Sequence, residues 1–347
     1  MRVERIHARN WMAFEEIEIS FLDEASGRPF GLVALTGKSG TGKTCVLQAI
    51  RSAFAKRWDV AGPVPIGSLR DRARPSRLAV DFVFDPVEIV GAVDRLPSGH
   101  ALHEMAGKTS DAARLRVLLD SSLDATNKFT LLDEGCTGPF VHSACRLDLF
   151  HVLAKGPTSR VLHMPEDRTI GRSEIRQVQR IGDRPEERVL TLHAYADFKQ
   201  HLVNLDYLSL KRGEDLLEPY RQVVSGLFDG KTLRGVTEDL RVAFRTDDGL
   251  EVDYDQLSSG ERAILALLGS MIRPMLEHSV YLIDEPEQHL HPDWQRRLVE
   301  LFKSESDRTG SQFILATHAV EVAAAVQELG GAVFSLSSRP IEQGTAS

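Results

Sequence analysis

Leu257-Ser258-Ser259-Gly260-Glu261-Arg262 opens a helical apolar run and stands a short way ahead of the acidic strand end Asp284-Glu285-Pro286. Many folds hold phosphate in a glycine-rich loop. Few also place a serine-rich, glycine-ended loop at a helix start just before such a strand, so this string narrows the fold further than any other stretch. Working outward, Val280-Tyr281-Leu282-Ile283 is a short apolar run suited to a buried strand. Its acidic end fits the Walker B pattern, in which Asp284 supports a Mg²⁺ shell and Glu285 polarises a water for in-line displacement at a γ phosphate. Acidic pairs after strands are usually solvated ends, and this pair gains meaning only beside a phosphate loop.

Such a loop lies at 37–44, where Gly37-Lys38-Ser39-Gly40-Thr41-Gly42-Lys43-Thr44 fits G-x-x-x-x-G-K-[ST] in full. Leu32-Val33-Ala34-Leu35 before it reads as a buried strand, and Val46, Leu47, Ile50, Ala53 and Phe54 after it recur at helical spacing. The loop therefore sits in a strand-to-helix turn, where exposed N–H groups and the helix dipole favour phosphate. Lys43 is expected to reach the β and γ phosphates, and Thr44 to ligate Mg²⁺. A third apolar run, Phe313-Ile314-Leu315-Ala316, leads into Thr317-His318. A lone histidine is more often structural than catalytic, but one at the carboxyl end of a strand lies on the rim where open α/β sheets bind nucleotide.

GKSGTGKT, LSSGER, VYLIDEPEQHLHPDWQ and ILATHAVEVA, in this order, resemble the ABC-type ATPase heads of the SMC, RecF and overcoming-lysogenisation-defect group. The opening MRVERIHARNWMAFEEIEISF is similar to that group's first hairpin, an Arg-Asn-aromatic turn between two strands. The likeness covers about 1–60 and 196–325, with a weaker match at 161–168. It implies an α/β P-loop NTPase, an ABC-ATPase head with a mixed central sheet, an N-terminal β-hairpin lobe and a helical signature lobe. It also implies ATP and Mg²⁺ as ligands. Nucleotide is expected at Gly37, Lys38, Ser39, Gly40, Thr41, Gly42, Lys43, Thr44 and Cys45, and at Ser258, Ser259, Gly260 and Glu261. The expected metal ligands are Thr44 and Asp284, with Glu285 as catalytic base, His318 as switch histidine and Lys43 completing the catalytic set. Two departures favour the SMC-like branch over a transporter subunit: Ser259 stands where transporters usually have a second glycine, and Glu287-Gln288-His289-Leu290-His291-Pro292 replaces a Ser-Ala-Leu-Asp stretch. No glutamine occurs between Gln48 and Gln177, so the usual Mg²⁺-sensing glutamine is unassigned.

One phosphate loop and one signature cannot make a site pair in a single chain, since in such heads the signature serine of one subunit completes the other's γ-phosphate site. The resemblance therefore implies an ATP-dependent homodimer, or pairing with a similar head. The head is expected from 1–60 and 196–347 as two halves of one domain, with 61–195 a compact insertion of mixed α and β character. That stretch lacks sustained heptads, so an arm of coiled coil is not expected. The segment after a strand near 333–336 is too short for a fused Toprim nuclease, so a nuclease or toxin effector is expected as a separate chain.

The 347 residues carry a net charge of −8, which gives the whole chain no bulk electrostatic footprint for nucleic acid. Arg70, Arg72, Arg74 and Arg77 cluster before an alternating strand, Leu78, Val80, Phe82 and Phe84. Arg168, Arg172, Arg176, Arg180, Arg184 and Arg188 recur every fourth residue. Interleaved acids make a solvated, salt-bridged face the leading reading, with a DNA track as the alternative. The longest apolar run, 263–272, is far below the roughly 20 residues a membrane span needs. With no signal segment opening the chain, a cytoplasmic location is expected. Cys45, Cys136 and Cys145 lack C-x-x-C spacing and are expected to be plain thiols. The function expected is ATP-driven head dimerisation gating an effector or a nucleic-acid transaction, in anti-phage defence or DNA repair. A slow nucleotide-gated DNA clamp or scaffold is the alternative, and a transporter subunit a more distant one.

Overall fold

A computed structural model describes residues 1–55, 70–71, 73–98, 100–103, 111–121, 127–131, 135–141, 149, 152–153, 160–164, 189–191, 196–228, 230–272, 277–288 and 290–337. The chain starts with an antiparallel hairpin, β1 (Arg2–Trp11) and β2 (Phe14–Ser20), then a small ribbon, β3 (Leu22–Asp23) and β4 (Arg28–Pro29). The strand β5 (Leu32–Thr36), the phosphate loop and the helix α1 (Lys43–Ala55) follow. From the middle of the chain come β6 (Ser76–Phe84), α2 (Pro86–Val93), β7 (Ala113–Ser121), β8 (Asn127–Leu131), β9 (Val161–Met164) and β10 (Val189–Thr191). The signature lobe comprises α3 (Ala196–Arg212), α4 (Glu218–Leu227), a meander of β11 (Lys231–Val236), β12 (Val242–Thr246) and β13 (Glu251–Asp253), and α5 (Ser259–Ile272). Then come β14 (Val280–Asp284), α6 (Pro292–Thr309), β15 (Gln312–Ala316), α7 (Val320–Glu328) and β16 (Ala332–Ser335).

The continuous apolar runs of β5, β14 and β15 are explained by burial on both faces. All three lie inside a six-stranded parallel sheet ordered β10-β9-β14-β15-β5-β16. Side chains alternate between the faces with a period of two. Val33, Leu35, Val280, Leu282, Ile314 and Ala316 join one core with Val46, Leu47, Ile50 and Phe54 of α1. Leu32, Ala34, Tyr281, Ile283, Phe313 and Leu315 join the other, with Leu298 and Phe302 of α6, Val322 and Val326 of α7, and Ile264 and Leu265 of α5. On this second face Tyr281 stacks on Phe313 at 4.6 Å and Phe302 on Phe313 at 5.2 Å between ring centres. The phosphate-loop helix and the signature helix thus pack on opposite faces of one sheet.

A second, antiparallel sheet ordered β2-β1-β6-β7-β8 covers the far side of α1, which touches β6 and β7 as well as β14 and β15. The expected mixed sheet is therefore divided by pairing type, with parallel strands in one sheet and antiparallel strands in the other. The stretch 61–195, expected as a compact insertion of mixed α and β character, contributes strands to both sheets. Its β6 pairs with β1 of the opening hairpin, with Ile6 opposite Val80, and its β9 pairs in parallel with β14. The physical reason is visible in β6, whose alternating Leu78, Val80, Phe82 and Phe84 are all fully buried and need the core that β1 and α1 supply. The four-residue arginine ladder at 168–188 lies outside the described residues, as do Arg72 and Cys145. Cys45 and Cys136 are cysteine thiols, and Cys136 Sγ accepts from Arg116 N at 3.5 Å. No helix of the described residues is long and apolar enough to cross a membrane.

Two polar devices hold distant pieces together. Asn10, at a left-handed φ of 49°, is buried at the hairpin turn. Its amide donates to Asp71 O (2.8 Å), Arg74 O (2.9 Å) and Pro75 O (3.3 Å), and its carbonyl accepts from Asp71 N (2.8 Å). In the signature lobe, Ser258 and Glu261 form a reciprocal box at the start of α5. Glu261 N donates to Ser258 Oγ (3.2 Å) and Ser258 N to Glu261 Oε2 (2.8 Å), while Lys231 Nζ reaches Glu261 Oε1 at 2.5 Å. Burial pushes the Glu261 carboxyl up, but Lys231 and the Ser258 donors outweigh it and hold the group below its ordinary value.

Asn10→Ala removes four hydrogen bonds and a residue type that tolerates left-handed backbone. Unfolding in urea is expected to show a loss of about 2–3 kcal/mol, and an unmoved midpoint would show that the clamp contributes nothing. Glu261→Gln tests the second device. Because the folded carboxyl is held below its ordinary value, its contribution is present above the usual carboxylate range and lost as the pH falls through it. The stability gap between the native chain and Glu261→Gln should therefore be full at neutral pH and close in acid; a gap of constant size would assign it to shape alone.

Candidate nucleotide site

The carboxyl ends of three adjacent strands meet in one row. Asp284 of β14 lies opposite Ala316 of β15, and Ala316 opposite Leu35 of β5, so the loops that follow these strands share one edge of the sheet. This is where open α/β sheets receive ligands. Backbone hydrogen bonds lock the row: Thr317 N donates to Leu35 O (2.9 Å), Glu285 N to Ala316 O (2.8 Å) and Leu336 N to Thr36 O (2.7 Å).

The phosphate loop needs its glycines. At Gly37, φ is 143°, and an added Cβ would stand 2.4 Å from Leu336 O and 2.7 Å from Thr41 Oγ1. At Gly42, with φ 96°, it would stand 2.4 Å from the Phe14 ring, so the opening hairpin presses directly on the loop. Lys38, Ser39 and Gly40 are exposed, and α1 starts at Lys43, leaving its first N–H groups beside the loop. Lys43 Nζ donates to Gly37 O (2.8 Å) and Lys38 O (3.2 Å) and is buried, so this cation is a built part of the loop and not a surface charge. Cys45 is half-buried one residue beyond Thr44, and burial pushes its thiol up. Its side chain has no nucleophile's environment.

Across the row, Asp284 is buried and Glu285 only partly so. Glu285 takes a left-handed φ of 47°, unusual for a residue with a side chain and typical of strained functional positions. The imidazole Nδ1 of His318, an exposed residue, lies 3.3 Å from Glu285 Oε1 and 3.3 Å from Glu287 Oε1. Thr44 at the start of α1, Asp284 at the end of β14, and Glu285 and His318 in the segments after β14 and β15 therefore lie at the same edge of the sheet. Thr44 hydroxyl and Asp284 carboxylate are hard oxygen donors of the type Mg²⁺ takes. They fit the group that the motif implies.

Ser258 and Ser259 are exposed and Gly260 is partly so, at the start of α5 on the other face of the sheet from α1. The structure brings the phosphate-loop, Walker B and histidine residues together, whereas the signature residues belong to a separate lobe. Lys199 Nζ pairs with Asp255 Oδ2 at 2.7 Å and Arg262 Nη1 donates to Asp255 O at 3.3 Å, fixing the approach to the signature loop. Of the arginine cluster, Arg70 Nη1 donates to Ala13 O, and Arg74 faces Asp71 (3.3 Å) and Glu15 (3.7 Å). Two residues escaped the sequence. Lys231 braces Glu261 from a strand 30 positions away, and Glu287 gathers the donors of 317–319, also 30 or more positions away. Neither has a local pattern that would reveal its partner.

Comparison with known proteins bears on the fold and the family. The family model described as "AAA domain, putative AbiEii toxin, Type IV TA system" matches residues 137–324, more than half of the chain, taking in the signature loop, β14 and His318. Retron Vc95 probable ATPase of Vibrio cholerae serotype O1 biovar El Tor is 38% identical over 82 residues, which is 20% of this chain and 16% of that protein. Retron Ec83 probable ATPase of Escherichia coli is 36% identical over 78 residues, 19% of this chain and 14% of that protein. The match thus spans under a fifth of either relative. The SMC head domain from Thermotoga maritima superposes with a TM-score of 0.50 at 16% identity, covering 99% of this chain and all of that one. An SmcHead bound to the C-winged helix domain of ScpA gives a TM-score of 0.56 at 16% identity over 98% and 95% of the two chains. At that identity the likeness is one of fold. The chain belongs to the AAA-domain family so described, and its fold is that of an SMC-type P-loop ATPase head.

Proposed function

We propose that this chain binds and hydrolyses ATP with Mg²⁺ in composite sites formed by two heads face to face, and that their closure gates a separate effector. The observation that carries the reading is the packing of α1 and α5 on opposite faces of one sheet. Lys43 and Ser258 are both turned to phosphate chemistry by sequence, yet a single chain holds them in different lobes. A second head, or a copy of this one, supplies the missing half. In this scheme Lys43 and the N–H groups at the start of α1 bind the β and γ phosphates. Glu285 orients and accepts a proton from the attacking water, and His318, beside Glu285, meets the γ phosphate. Ser258, with the start of the partner's α5, closes the site from across the interface. Mg²⁺, when bound by Thr44 and Asp284, would neutralise phosphate charge.

The names of the relatives bear on the setting. Two carry the names "Retron Vc95 probable ATPase" and "Retron Ec83 probable ATPase", and the family description reads "putative AbiEii toxin, Type IV TA system". Of the two settings expected from sequence, we favour defence over DNA repair, with a toxin-class effector on another chain. On the outer face of the antiparallel sheet Arg5 pairs with Glu18 (3.6 Å) and Arg116 with Asp81 (2.6 Å), while Arg9 and Arg77 stand exposed and opposite each other, so the preference for defence rests on the names of the relatives and not on this face.

Three substitutions test the scheme. Lys43→Ala is expected to weaken ATP binding about 100-fold or more by equilibrium dialysis, and unchanged affinity in the folded variant removes the phosphate-loop assignment. Glu285→Gln should bind ATP, lose turnover by about 100-fold or more, and accumulate as an ATP-bound dimer on size exclusion; near-normal hydrolysis places the base elsewhere. Ser258→Arg should keep ATP binding by the single chain and lose both dimerisation and turnover. Mixed with Lys43→Ala it leaves one composite site with both halves intact, and partial recovery of hydrolysis is expected. A Ser258→Arg chain that hydrolyses ATP normally on its own rules out the composite site.

A further inference from the structure

We propose that Glu287 is a positioning residue that sets both the backbone and the ring of His318, an assignment that rests on the ATPase reading above. Three positions past Asp284, Glu287 is 5% exposed. The left-handed Glu285, tied by its N–H to Ala316 O, turns the chain, and Gln288 N to Glu285 O (3.1 Å) and Leu290 N to Glu287 O (2.9 Å) tighten that turn. The carboxylate is thereby carried beneath the end of β15. One oxygen, Oε1, accepts from Thr317 Oγ1 (2.7 Å), His318 N (2.9 Å) and Ala319 N (3.2 Å). The helix α7 begins at the next residue, and its N-cap position, Ala319, has no side-chain cap of its own. Glu287 acts as that cap from a distant loop, with its negative charge at the positive end of the helix.

The same oxygen lies 3.3 Å from His318 Nδ1, as does Glu285 Oε1 on the other side. Ionised carboxylates only accept hydrogen bonds, so the nitrogen beside two of them carries the ring hydrogen. Glu287 thus joins the Walker B turn to the histidine in two ways, through the main chain of 317–319 and through the imidazole. Its other oxygen, Oε2, is buried without a hydrogen-bond partner among the described residues. A glutamine at 287 cannot reproduce this. Its NH₂ either faces three donors at the Oε1 place or puts two N–H groups where no acceptor stands.

The test measures ATP hydrolysis, ATP affinity and the ¹⁵N-histidine spectrum of the full chain for the native protein, Glu287→Gln, His318→Ala and the double variant. Glu287→Gln is expected to lower kcat about 10-fold to 100-fold with ATP affinity within about twofold. In the His318→Ala background it should cost no further turnover, because the residue acts through the histidine; equal losses in both backgrounds overturn the proposal. The His318 resonances, identified by their loss in His318→Ala, should report a hydrogen on Nδ1 in the native chain and a shifted ring in Glu287→Gln. An unshifted ring overturns the proposal. That spectrum is independent of turnover, so a native chain without hydrolysis sinks the ATPase reading while the spectrum still decides the role of Glu287. If Glu287→Gln does not fold, Thr317→Val, which withdraws one donor from the same oxygen, is put through the same cycle, with additive losses again overturning the proposal.

Discussion

Two-sided burial of the parallel sheet is the constraint on which the rest of this structure depends. A strand buried on both faces has no solvent side to relax toward, and truncating a leucine or isoleucine in such a place costs about 2–5 kcal/mol. Leu282, Ile283, Ile314 and Leu315 lie fully buried in adjacent strands and alternate between two separate cores. Register is fixed by that alternation, since a slip of one residue would exchange every side chain between α1 on one face and α6 on the other. Asp284, Ala316 and Leu35 are aligned as a consequence. The geometry of the candidate site at the edge of the sheet is thus inherited from packing at its centre.

The same constraint separates the two phosphate-directed loops. A helix can cover only one face of a sheet, so α1 and α5 divide the faces between them. The short path from β5 through the glycine loop to α1 leaves the phosphate loop under the hairpin, where Phe14 packs against Gly42. The signature loop is instead framed by its own polar supports, Lys231 on Glu261 and Lys199 on Asp255. Each lobe is locally complete, and in the scheme proposed above the two loops would meet only between copies.

Much of this was legible in the sequence because it is local. The three apolar runs, the helix after the phosphate loop and the alternation of Leu78, Val80, Phe82 and Phe84 are all patterns within a dozen residues, and each appears as the expected element. What the sequence hid is pairing at long separation. Nothing near residue 80 announces that β6 will lie beside β1, and nothing near 161 announces β14 as its neighbour. The middle of the chain therefore read as a compact insertion, with no sign of which sheets its strands would join. Glu287 was hidden for the same reason, since a carboxylate looks solvated in a charged loop until the 317–319 donors are brought to it. Asn10 had its place in the hairpin motif, but its partners at 71–75 did not.

The left-handed backbone at Glu285 sets two demands on one position against each other. Glycine there would take the same φ of 47° without a side-chain penalty, and asparagine would take it with little. Either would relax the turn and remove one of the two carboxylates beside His318. If Glu285 is the base proposed above, a screen for heat resistance alone would drift toward those residues and deliver a sturdier, inert protein, whereas a screen for turnover would hold the strained glutamate in place. On that reading, endurance and activity cannot be improved by the same substitution at this one residue.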